Sequence, residues 1–204
     1  MGSLVKEFES KYWCKNELVV GIDEAGRGPM AGPCVVAGVV FPIGFDHDLI
    51  NDSKKLSSKK RDELCELIKD NALWYAIEVV DVEAIDSHNI YRATQMGMEL
   101  ITNTSPAAVS LTDAMPLTEV KIPFESIIKG DQRSISIAAA SILAKTYRDE
   151  LMVEYDKIYP EYGFAQHKGY GTAKHKEAIL TYGRCPIHRK TFTFKDEFQI
   201  SFDI

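Results

Sequence analysis

Five short apolar runs, rich in β-branched residues, stand out along the first two thirds of the chain. They cover residues 19–22, 34–41, 75–80, 107–112 and 120–128. Runs of this length, bounded by Gly, Pro or acidic residues, are typical of strands. Elsewhere apolar residues recur every three or four positions, which predicts helices from residue 57 or 58 to 71 and over 89–102, 134–155 and 173–182. The pattern therefore predicts an α/β fold, with a mixed five-stranded sheet flanked by helices and a helical C-terminal lobe.

The order of these elements divides the chain near residue 155. We expect residues 1–155 to form a core and residues 156–204 a helical lobe, within one continuous domain. A chain of 204 residues that is 45% hydrophobic can bury a substantial core. No apolar run reaches the ~18 residues of a membrane span, and the N-terminus does not resemble a secretory signal. We therefore expect a cytoplasmic protein without a membrane segment, and a monomer, because the sequence shows no oligomer interface.

The four cysteines are scattered and include no C-x-x-C pair, which disfavours a zinc site and a disulfide framework.

The net charge of −6 is unusual for a protein that binds nucleic acid, but its distribution matters more than its sum. Residues 163–195 hold seven basic residues and one acid, a net of +6, so the rest of the chain carries −12. The stretch is either a solvated basic face or a lobe that contacts phosphates. Its basic residues are Lys168, Lys174, Lys176, Arg184, Arg189, Lys190 and Lys195.

Four acids occupy element ends. Asp23 and Glu24 follow the first apolar run, Asp113 follows the fourth, and Asp131 precedes the long third helix. If the strands that end at Asp23 and Asp113 are parallel neighbours, their carboxylates meet at one edge of the sheet. Clustered carboxylates repel unless a cation neutralises them, and a site made only of oxygen ligands suits Mg²⁺ or Mn²⁺ rather than zinc. Two such ions can activate water and stabilise the leaving oxygen of a phosphodiester, although each acid alone could be a strand-end or cap residue.

A glycine-rich turn, residues 26–29, follows the first two acids directly. Its glycines let backbone groups approach a ligand, and Arg27 offers a planar fork for phosphate, although a plain tight turn is the simpler interpretation.

On the long helix, Lys145 and Arg148 are either surface charges or phosphate contacts. Asp149 is either a fifth acid of the site or, as we favour, a structural residue paired with Arg148. The small residues 138–140 predict close packing of this helix against the sheet.

Five ordered blocks resemble the ribonuclease HII family. They are G-I-D-E-A-G-R-G-P at residues 21–29, D-S-K-K-L at 52–56, S-I-A-A-A-S-I-L-A-K-T-Y-R-D at 136–149, H-K-G-Y-G-T at 167–172 with His175, and P-I-H-R at 186–189 with Phe192. The type 3 relatives carry G-T-G in place of G-R-G and an extra N-terminal domain, so type 2 fits this chain better. One departure is Ala114, because many members have Gly after the acid that matches Asp113.

The resemblance implies a ribonuclease H-like fold and a catalytic metal site for Mg²⁺ or Mn²⁺. It implies that residues 1–155 are the catalytic core and that the helical lobe, residues 156–204, contacts nucleic acid. It implies an endoribonuclease that hydrolyses the RNA strand of RNA/DNA hybrids and cuts 5′ of single ribonucleotides in duplex DNA, leaving a 5′-phosphate and a 3′-hydroxyl. It also implies a role in removing ribonucleotides misplaced in DNA. The acids that match the family's site are Asp23, Glu24, Asp113 and Asp131. The residues expected to contact substrate are Gly26, Arg27, Gly28, Lys54, Lys145, Lys168 and Tyr170.

Other interpretations make different demands on the sequence. Another nuclease or a transposase of the same fold would share the acids but not the K-G-Y-G block. A non-catalytic nucleic-acid-binding module would have lost at least one acid, and a structural domain would have no use for an acid cluster. Residues 199–204, Q-I-S-F-D-I, faintly resemble the glutamine-and-hydrophobic tails that dock on sliding clamps; a frayed end is the alternative.

Overall fold

The computed structural model describes residues 7–50, 57–195 and 197. Its strands form one mixed sheet in the order β3-β2-β1-β4-β5, which confirms the predicted five-stranded sheet. The neighbours β1 and β2, and β2 and β3, are antiparallel, whereas β4 runs parallel to β1 and to β5. The strands are β1 (Val19–Ala25), β2 (Cys34–Val40), β3 (Trp74–Val80), β4 (Val109–Asp113) and β5 (Phe124–Ile127).

Within the described residues, six α-helices and two short 3₁₀ helices surround the sheet. The α-helices are α1 (Glu7–Trp13), α2 (Ser58–Asn71), α3 (Val82–Thr104), α4 (Ile135–Ile158), α5 (Phe164–His167) and α6 (Ala173–Tyr182). The 3₁₀ helices cover Gly130–Gln132 and Pro160–Tyr162. The sequence did not predict α1 or α5, which have only 7 and 4 residues. Helix α3 begins earlier than predicted because Asp81 caps its first turn, and Asn89, with φ 63°, interrupts it where the prediction placed its start.

The sheet lies between two helical layers. On one face, the odd-numbered residues of β2 pack with α2 and α4; on the other, Val36 and Val40 pack with α3. Helix α4 approaches β1 so closely that a Cβ at Gly21 would lie 2.2 Å from the backbone carbonyl carbon of Ser136. The small residues Ala138, Ala139 and Ala140 are fully buried at this contact, as predicted. Close packing therefore fixes the start of α4 beside β1.

The C-terminal helices pack on the segment that follows the glycine-rich turn. Met30 and Ala31 share a buried cluster with Met152 of α4 and with Phe164 and Ile179 of the lobe. Because α4 runs to Ile158, it crosses the predicted boundary at residue 155, and the division into residues 1–155 and 156–204 stays a prediction. Within the described ranges, no helix combines the length and apolar character that a membrane crossing requires.

Candidate active site

The acids of the first and fourth strands meet at one edge of the sheet. Ile22 pairs with Thr112 in the parallel register of β1 and β4, so the next residues, Asp23 and Asp113, are neighbours. The two strands are parallel neighbours, which is the condition under which the sequence predicted that these acids would meet. One detail differs: β1 continues to Ala25, so Asp23 and Glu24 lie within the strand rather than after it.

Asp23 is the most buried acid of β1, with 5% of its surface exposed. The Ser141 hydroxyl and the Glu24 backbone N–H donate hydrogen bonds to its carboxylate, the latter across 2.7 Å. Burial nevertheless raises the pKa of Asp23 well above its usual value, and the negative charges of Glu24 and Asp113 raise it further. A cation at this position would remove the repulsion that raises the pKa.

Asp113 and Asp131 are linked through one backbone group. The N–H of Gly130 donates to Asp113 Oδ1 across 2.8 Å, and Asp131 follows in the 3₁₀ turn with 2% of its surface exposed. The turn is fixed to α4, because the N–H of Ser134 donates to Gly130 O and the Ser134 side chain caps the helix. The predicted position of Asp131, between β5 and α4, agrees with this arrangement.

A cavity of about 220 Å³ opens over these acids. Three of the four predicted acids line it; Asp131 is buried and is not among the lining residues. The wall of the cavity includes residues of the glycine-rich turn, of α4 and of the C-terminal lobe, so elements far apart in sequence converge here. The lining residues are Asp23, Glu24, Ala25, Gly26, Asp113, Ser141, Lys145 and Tyr170.

The donor chemistry of this cavity fits a hard divalent cation. Its acids offer only oxygen ligands, which Mg²⁺ and Mn²⁺ prefer, and the cavity is lined by three carboxylates and one cationic side chain, Lys145. Across the described part of the chain, no group of three or more His, Cys, Asp or Glu side chains is already arranged as a metal-binding cluster. Asp23, Glu24 and Asp113, which line the cavity, are nevertheless the residues whose oxygens could hold such an ion, and Asp131 lies in the turn bonded to Asp113.

The glycine-rich turn is held in place by a buried arginine from α4. Gly26 has φ 96°, and a Cβ there would lie 1.9 Å from Arg148 Nε. Arg148 is 1% exposed and donates to the carbonyls of Pro33 (3.0 Å), Ala31 (3.3 Å) and Lys168 (3.1 Å). Both expectations for Arg148, a surface charge or a phosphate contact, are therefore wrong. It is a structural residue that joins the segment after the turn to the C-terminal lobe.

A second buried arginine binds the turn from the C-terminal lobe. Arg189 is fully buried and donates to the carbonyls of Gly26 (2.6 Å), Arg27 (2.9 Å) and Gly32 (2.9 Å). Burial lowers its pKa only to about 10, so it stays charged at neutral pH. Sequence reasoning counted Arg189 only as part of the basic stretch; its place in the P-I-H-R block was the available signal for a more specific role.

The basic stretch offers less free positive charge than its composition suggests. Arg189 is buried, and Arg184 is paired with Glu197, its Nη2 lying 2.8 Å from Glu197 Oε2. Lys168 donates to the Ala165 carbonyl across 2.7 Å, and burial lowers the pKa of its amine. The exposed cations of the stretch are Lys174, Lys190 and Lys195.

Tyr170 faces the cavity rather than the core. It is 47% exposed and lines the same cavity as Asp23, and its ring carbon Cε1 lies 3.6 Å from the position of a Cβ on Gly28. Arg27 is also exposed, with Nη1 3.4 Å from Glu24 Oε1. The structure thus brings the predicted contacts Gly26, Arg27, Gly28 and Tyr170 to one side of the acids.

The remaining predicted contacts divide into two groups. Lys145 lines the cavity and donates to Asp149 Oδ1 across 2.7 Å. Asp149 is also 3.1 Å from Arg61 Nη2, so its partners are Lys145 and Arg61, and the expected pair with Arg148 is wrong. Lys54 and the D-S-K-K-L block, like the C-terminal tail 199–204, lie outside the described residues.

Comparison with known proteins agrees with this geometry. The family profile described as Ribonuclease HII matches residues 20–195. The chain is 56% identical over 176 residues to the ribonuclease HII of Acholeplasma laidlawii, covering 85% of this chain and 86% of the relative. Ribonuclease HII of Archaeoglobus fulgidus, solved in complex with PCNA, superposes with a TM-score of 0.72 at 25% identity, covering 87% of this chain and 96% of the other. A more distant structure, Bst ribonuclease HIII in complex with Mn²⁺, shares the fold, with a TM-score of 0.64 at 18% identity over 82% of this chain and 63% of the other.

Proposed function

The chain belongs to the ribonuclease HII family, and we propose that it cuts the RNA strand of RNA/DNA hybrids and cuts 5′ of single ribonucleotides embedded in duplex DNA. The family consists of divalent-metal-dependent endonucleases. One observation carries the finer proposal. The cavity that contains Asp23, Glu24 and Asp113 also contains Gly26 and Tyr170, which are suited to recognising a sugar.

The acids would hold two divalent ions. Asp23, Glu24, Asp113 and Asp131 would supply their oxygen ligands, and the charges of Glu24 and Asp113 already act on Asp23. When bound, the ions supply an activated water and stabilise the leaving oxygen of an in-line displacement. The products would be a 5′-phosphate and a 3′-hydroxyl. Ser141 and the Glu24 N–H hold the Asp23 carboxylate in a fixed orientation, so the site is partly organised in advance.

The glycine-rich turn would read the 2′-hydroxyl, the group that distinguishes RNA from DNA at the cut. Backbone amides and carbonyls can donate to and accept from a hydroxyl, and glycines let them come close. Arg189 fixes the turn and Arg148 holds the segment that follows it. Residues 26–28 would then form a recognition edge that is already in place before substrate binds. Tyr170 would pack on the neighbouring deoxyribose, since aromatic rings stack on nucleotides.

Phosphate contacts would come from cations around this edge. Lys145 lines the cavity, Arg27 lies 3.4 Å from the cavity residue Glu24, and Lys174 lies exposed on the first turn of α6. We retain Lys54 and Lys168 as proposed contacts, although Lys168 would have to exchange its bond to Ala165 for a phosphate. These interactions are independent of sequence, which suits an enzyme that removes misplaced ribonucleotides anywhere in DNA.

The decisive experiment is a cleavage assay on a DNA duplex that contains one ribonucleotide, with Mg²⁺ or Mn²⁺. We expect one cut on the 5′ side of the ribonucleotide, with product ends that a DNA ligase and a phosphatase can identify. The same duplex without the ribonucleotide is the control and should remain intact. A protein that binds the duplex but never cuts it in either metal would refute the proposal.

We also propose that residues 199–204 bind a sliding clamp. The support is the resemblance of Q-I-S-F-D-I to clamp-docking tails, together with the complex of the Archaeoglobus relative with PCNA. The protein would bind as a monomer. A pull-down with the clamp should retain full-length protein and lose a variant truncated after Glu197; equal retention would show that the tail is not the docking element.

A further inference from the structure

A pair of buried histidines lies directly behind Tyr170. His175 Nδ1 is 2.9 Å from the Tyr170 carbonyl, and His175 Nε2 is 3.0 Å from His188 Nε2. His175 is fully buried and His188 is 3% exposed. The Cys185 backbone N–H donates to His188 Nδ1 across 2.9 Å. An unbroken line of hydrogen bonds therefore runs from Cys185 through both rings to Tyr170.

All hydrogen bonds along this line donate in the same direction, from Cys185 towards Tyr170. The Tyr170 carbonyl can only accept, so His175 Nδ1 carries the proton and His175 Nε2 accepts from His188 Nε2–H. His188 Nδ1 then accepts from the Cys185 N–H. The Cys185 carbonyl also lies 3.2 Å from His188 Nδ1, but it could accept a hydrogen bond only if Nδ1 carried a proton, and that proton would meet the Cys185 N–H. A second proton between the rings would place two N–H groups face to face, so the pair functions with both rings neutral. Consistently, burial lowers the pKa of both His175 and His188 to about 4.

Other hydrogen bonds also hold the backbone around Tyr170. The N–H groups of Met30 (2.8 Å) and Ala31 (3.3 Å) donate to the carbonyl of the preceding Gly169. The N–H of Tyr170 donates to His167 O (2.9 Å), and the N–H of Thr172 donates to the Tyr170 carbonyl (2.8 Å), both within the same loop. The His175 bond is the side-chain bond that ties the Tyr170 carbonyl to the body of α6 and to the buried cluster of the lobe. Phe164, fully buried, packs edge-on against the His175 ring at 5.4 Å between centroids and restricts its rotation.

We propose that His175 and His188 are positioning residues that set the place of the Tyr170 ring, and with it the preference for a single embedded ribonucleotide. The proposal rests on the proposed function, in which Tyr170 packs on the deoxyribose next to the cut. Neither histidine lines the cavity, so neither contacts the reacting atoms. Their effect on cleavage would therefore pass through Tyr170.

The test compares two substitutions of the same ring. His175→Phe keeps the ring shape but removes the donor, whereas His175→Asn keeps an N–H at the δ position. Loss of one hydrogen bond predicts that His175→Phe slows cleavage of a single embedded ribonucleotide about fivefold to tenfold, with a smaller loss on continuous hybrid, and that His175→Asn restores most of the rate. Tyr162→Phe, which removes the 2.8 Å bond to the Gly183 carbonyl in the same lobe, is the matched control and should leave both rates unchanged.

A double-mutant cycle shows whether the effect passes through Tyr170. If it does, Tyr170→Ala combined with His175→Phe should be no slower than Tyr170→Ala alone, because the ring to be placed is already absent. Multiplying losses, or a wild-type rate for His175→Phe, would overturn the proposal. Should His175→Phe not fold, His175→Gln replaces it, since its amide reaches His188 but not the Tyr170 carbonyl. Failure of the proposed function has a different signature: Tyr170→Ala itself would show no selective loss, and both ideas would fall.

Discussion

The backbone N–H of Gly130 donates to the Asp113 carboxylate across 2.8 Å, so the acid at the end of β4 also anchors the turn that carries Asp131. Asp113 therefore has two roles that substitution can separate. Asp113→Asn removes the charge but keeps an oxygen that can accept from Gly130, whereas Asp113→Ala removes both.

We expect both Asp113 variants to be inactive, because a metal site that loses an anionic ligand binds its ions poorly. Asp113→Asn should keep its stability, whereas Asp113→Ala should lose about 1 kcal/mol with the hydrogen bond. Urea unfolding of the two metal-free proteins measures the difference. Equal stability of the two variants would mean that the Gly130 bond contributes nothing to the fold.

Asp23→Asn should abolish cleavage, leave duplex binding largely intact and raise stability. The pKa of Asp23 is raised in the folded protein, so at neutral pH its charge opposes folding when no cation is bound. A neutral amide removes this cost, and a gain of 1 kcal/mol would raise Tm by roughly 2–4 °C in a protein of this size. Differential scanning calorimetry without metal tests the gain, and added Mg²⁺ should raise the Tm of the wild type more than that of the variant. Near wild-type turnover in Asp23→Asn would refute the assigned site.

Binding to duplex should weaken as salt rises, because basic residues displace counterions from phosphates. Lys174 is exposed on the first turn of α6, so Lys174→Gln should flatten the slope of log affinity against log salt by about 1. Lys15→Gln changes the net charge equally at an exposed position after α1 and should leave the slope unchanged. Equal slopes for Lys174→Gln and wild type would show that this face of the lobe does not touch the backbone.

Stability should fall as the solution is acidified from pH 6.5 towards pH 4. The pKa values of His175 and His188 are lowered to about 4, so in this window the unfolded chain binds more protons than the folded one. Within this window each histidine lowers the free energy of unfolding by up to about 1.4 kcal/mol for each pH unit of acidification. Above pH 6.5 both histidines are neutral in the folded and the unfolded chain, so this loss is absent. Urea unfolding at pH 7 and pH 5 should show a smaller loss for the double variant His175→Asn/His188→Gln than for the wild type. Identical losses of stability in the double variant and the wild type would show that the two histidines do not cause the sensitivity to acid.

Ala114→Gly should stabilise the protein. Ala114 has φ 48°, in the left-handed region that costs a residue with a Cβ roughly 1–2 kcal/mol. Part of this gain is lost to the greater freedom of glycine in the unfolded chain, so we expect a net gain of about 0.5–1 kcal/mol. Ala84→Gly, within the first turn of α3, is the control and should lose stability. A loss at Ala114 as well would show that the turn after β4 is not strained.

Much of the fold could be predicted because it depends on local patterns. The apolar runs located all five strands, and an acid at the end of two of them indicated where a site would form. Helix α1 escaped prediction because its seven residues are fixed from afar: the Glu9 carboxylate accepts from the side chain of Ser134 and the N–H of Ser136 at the start of α4. Local sequence patterns cannot predict contacts between residues that are so far apart in the chain.

The site was predictable where residue chemistry is specific and not where burial decides the role. Carboxylates beside a glycine-rich turn have few interpretations, whereas an arginine on a helix is normally a surface residue. Arg148 and Arg189 are buried because backbone carbonyls of the segment 26–33 surround their guanidinium groups. Those carbonyls belong to loops whose paths depend on tertiary structure, so sequence patterns alone could not place the two arginines.

These two arginines also bear on which partner changes shape when enzyme and duplex meet. Arg148 connects the segment after the turn to Lys168, and Arg189 connects the turn itself to the end of the lobe. Opening the gap between turn and lobe would strip several hydrogen bonds from two buried charges, which is costly in a dry interior. The recognition edge is therefore expected to behave as a rigid template, and the nucleic acid must bend or shift its sugar pucker to match it. On this view a junction between ribose and deoxyribose is selected as much by how easily it deforms as by the groups it presents.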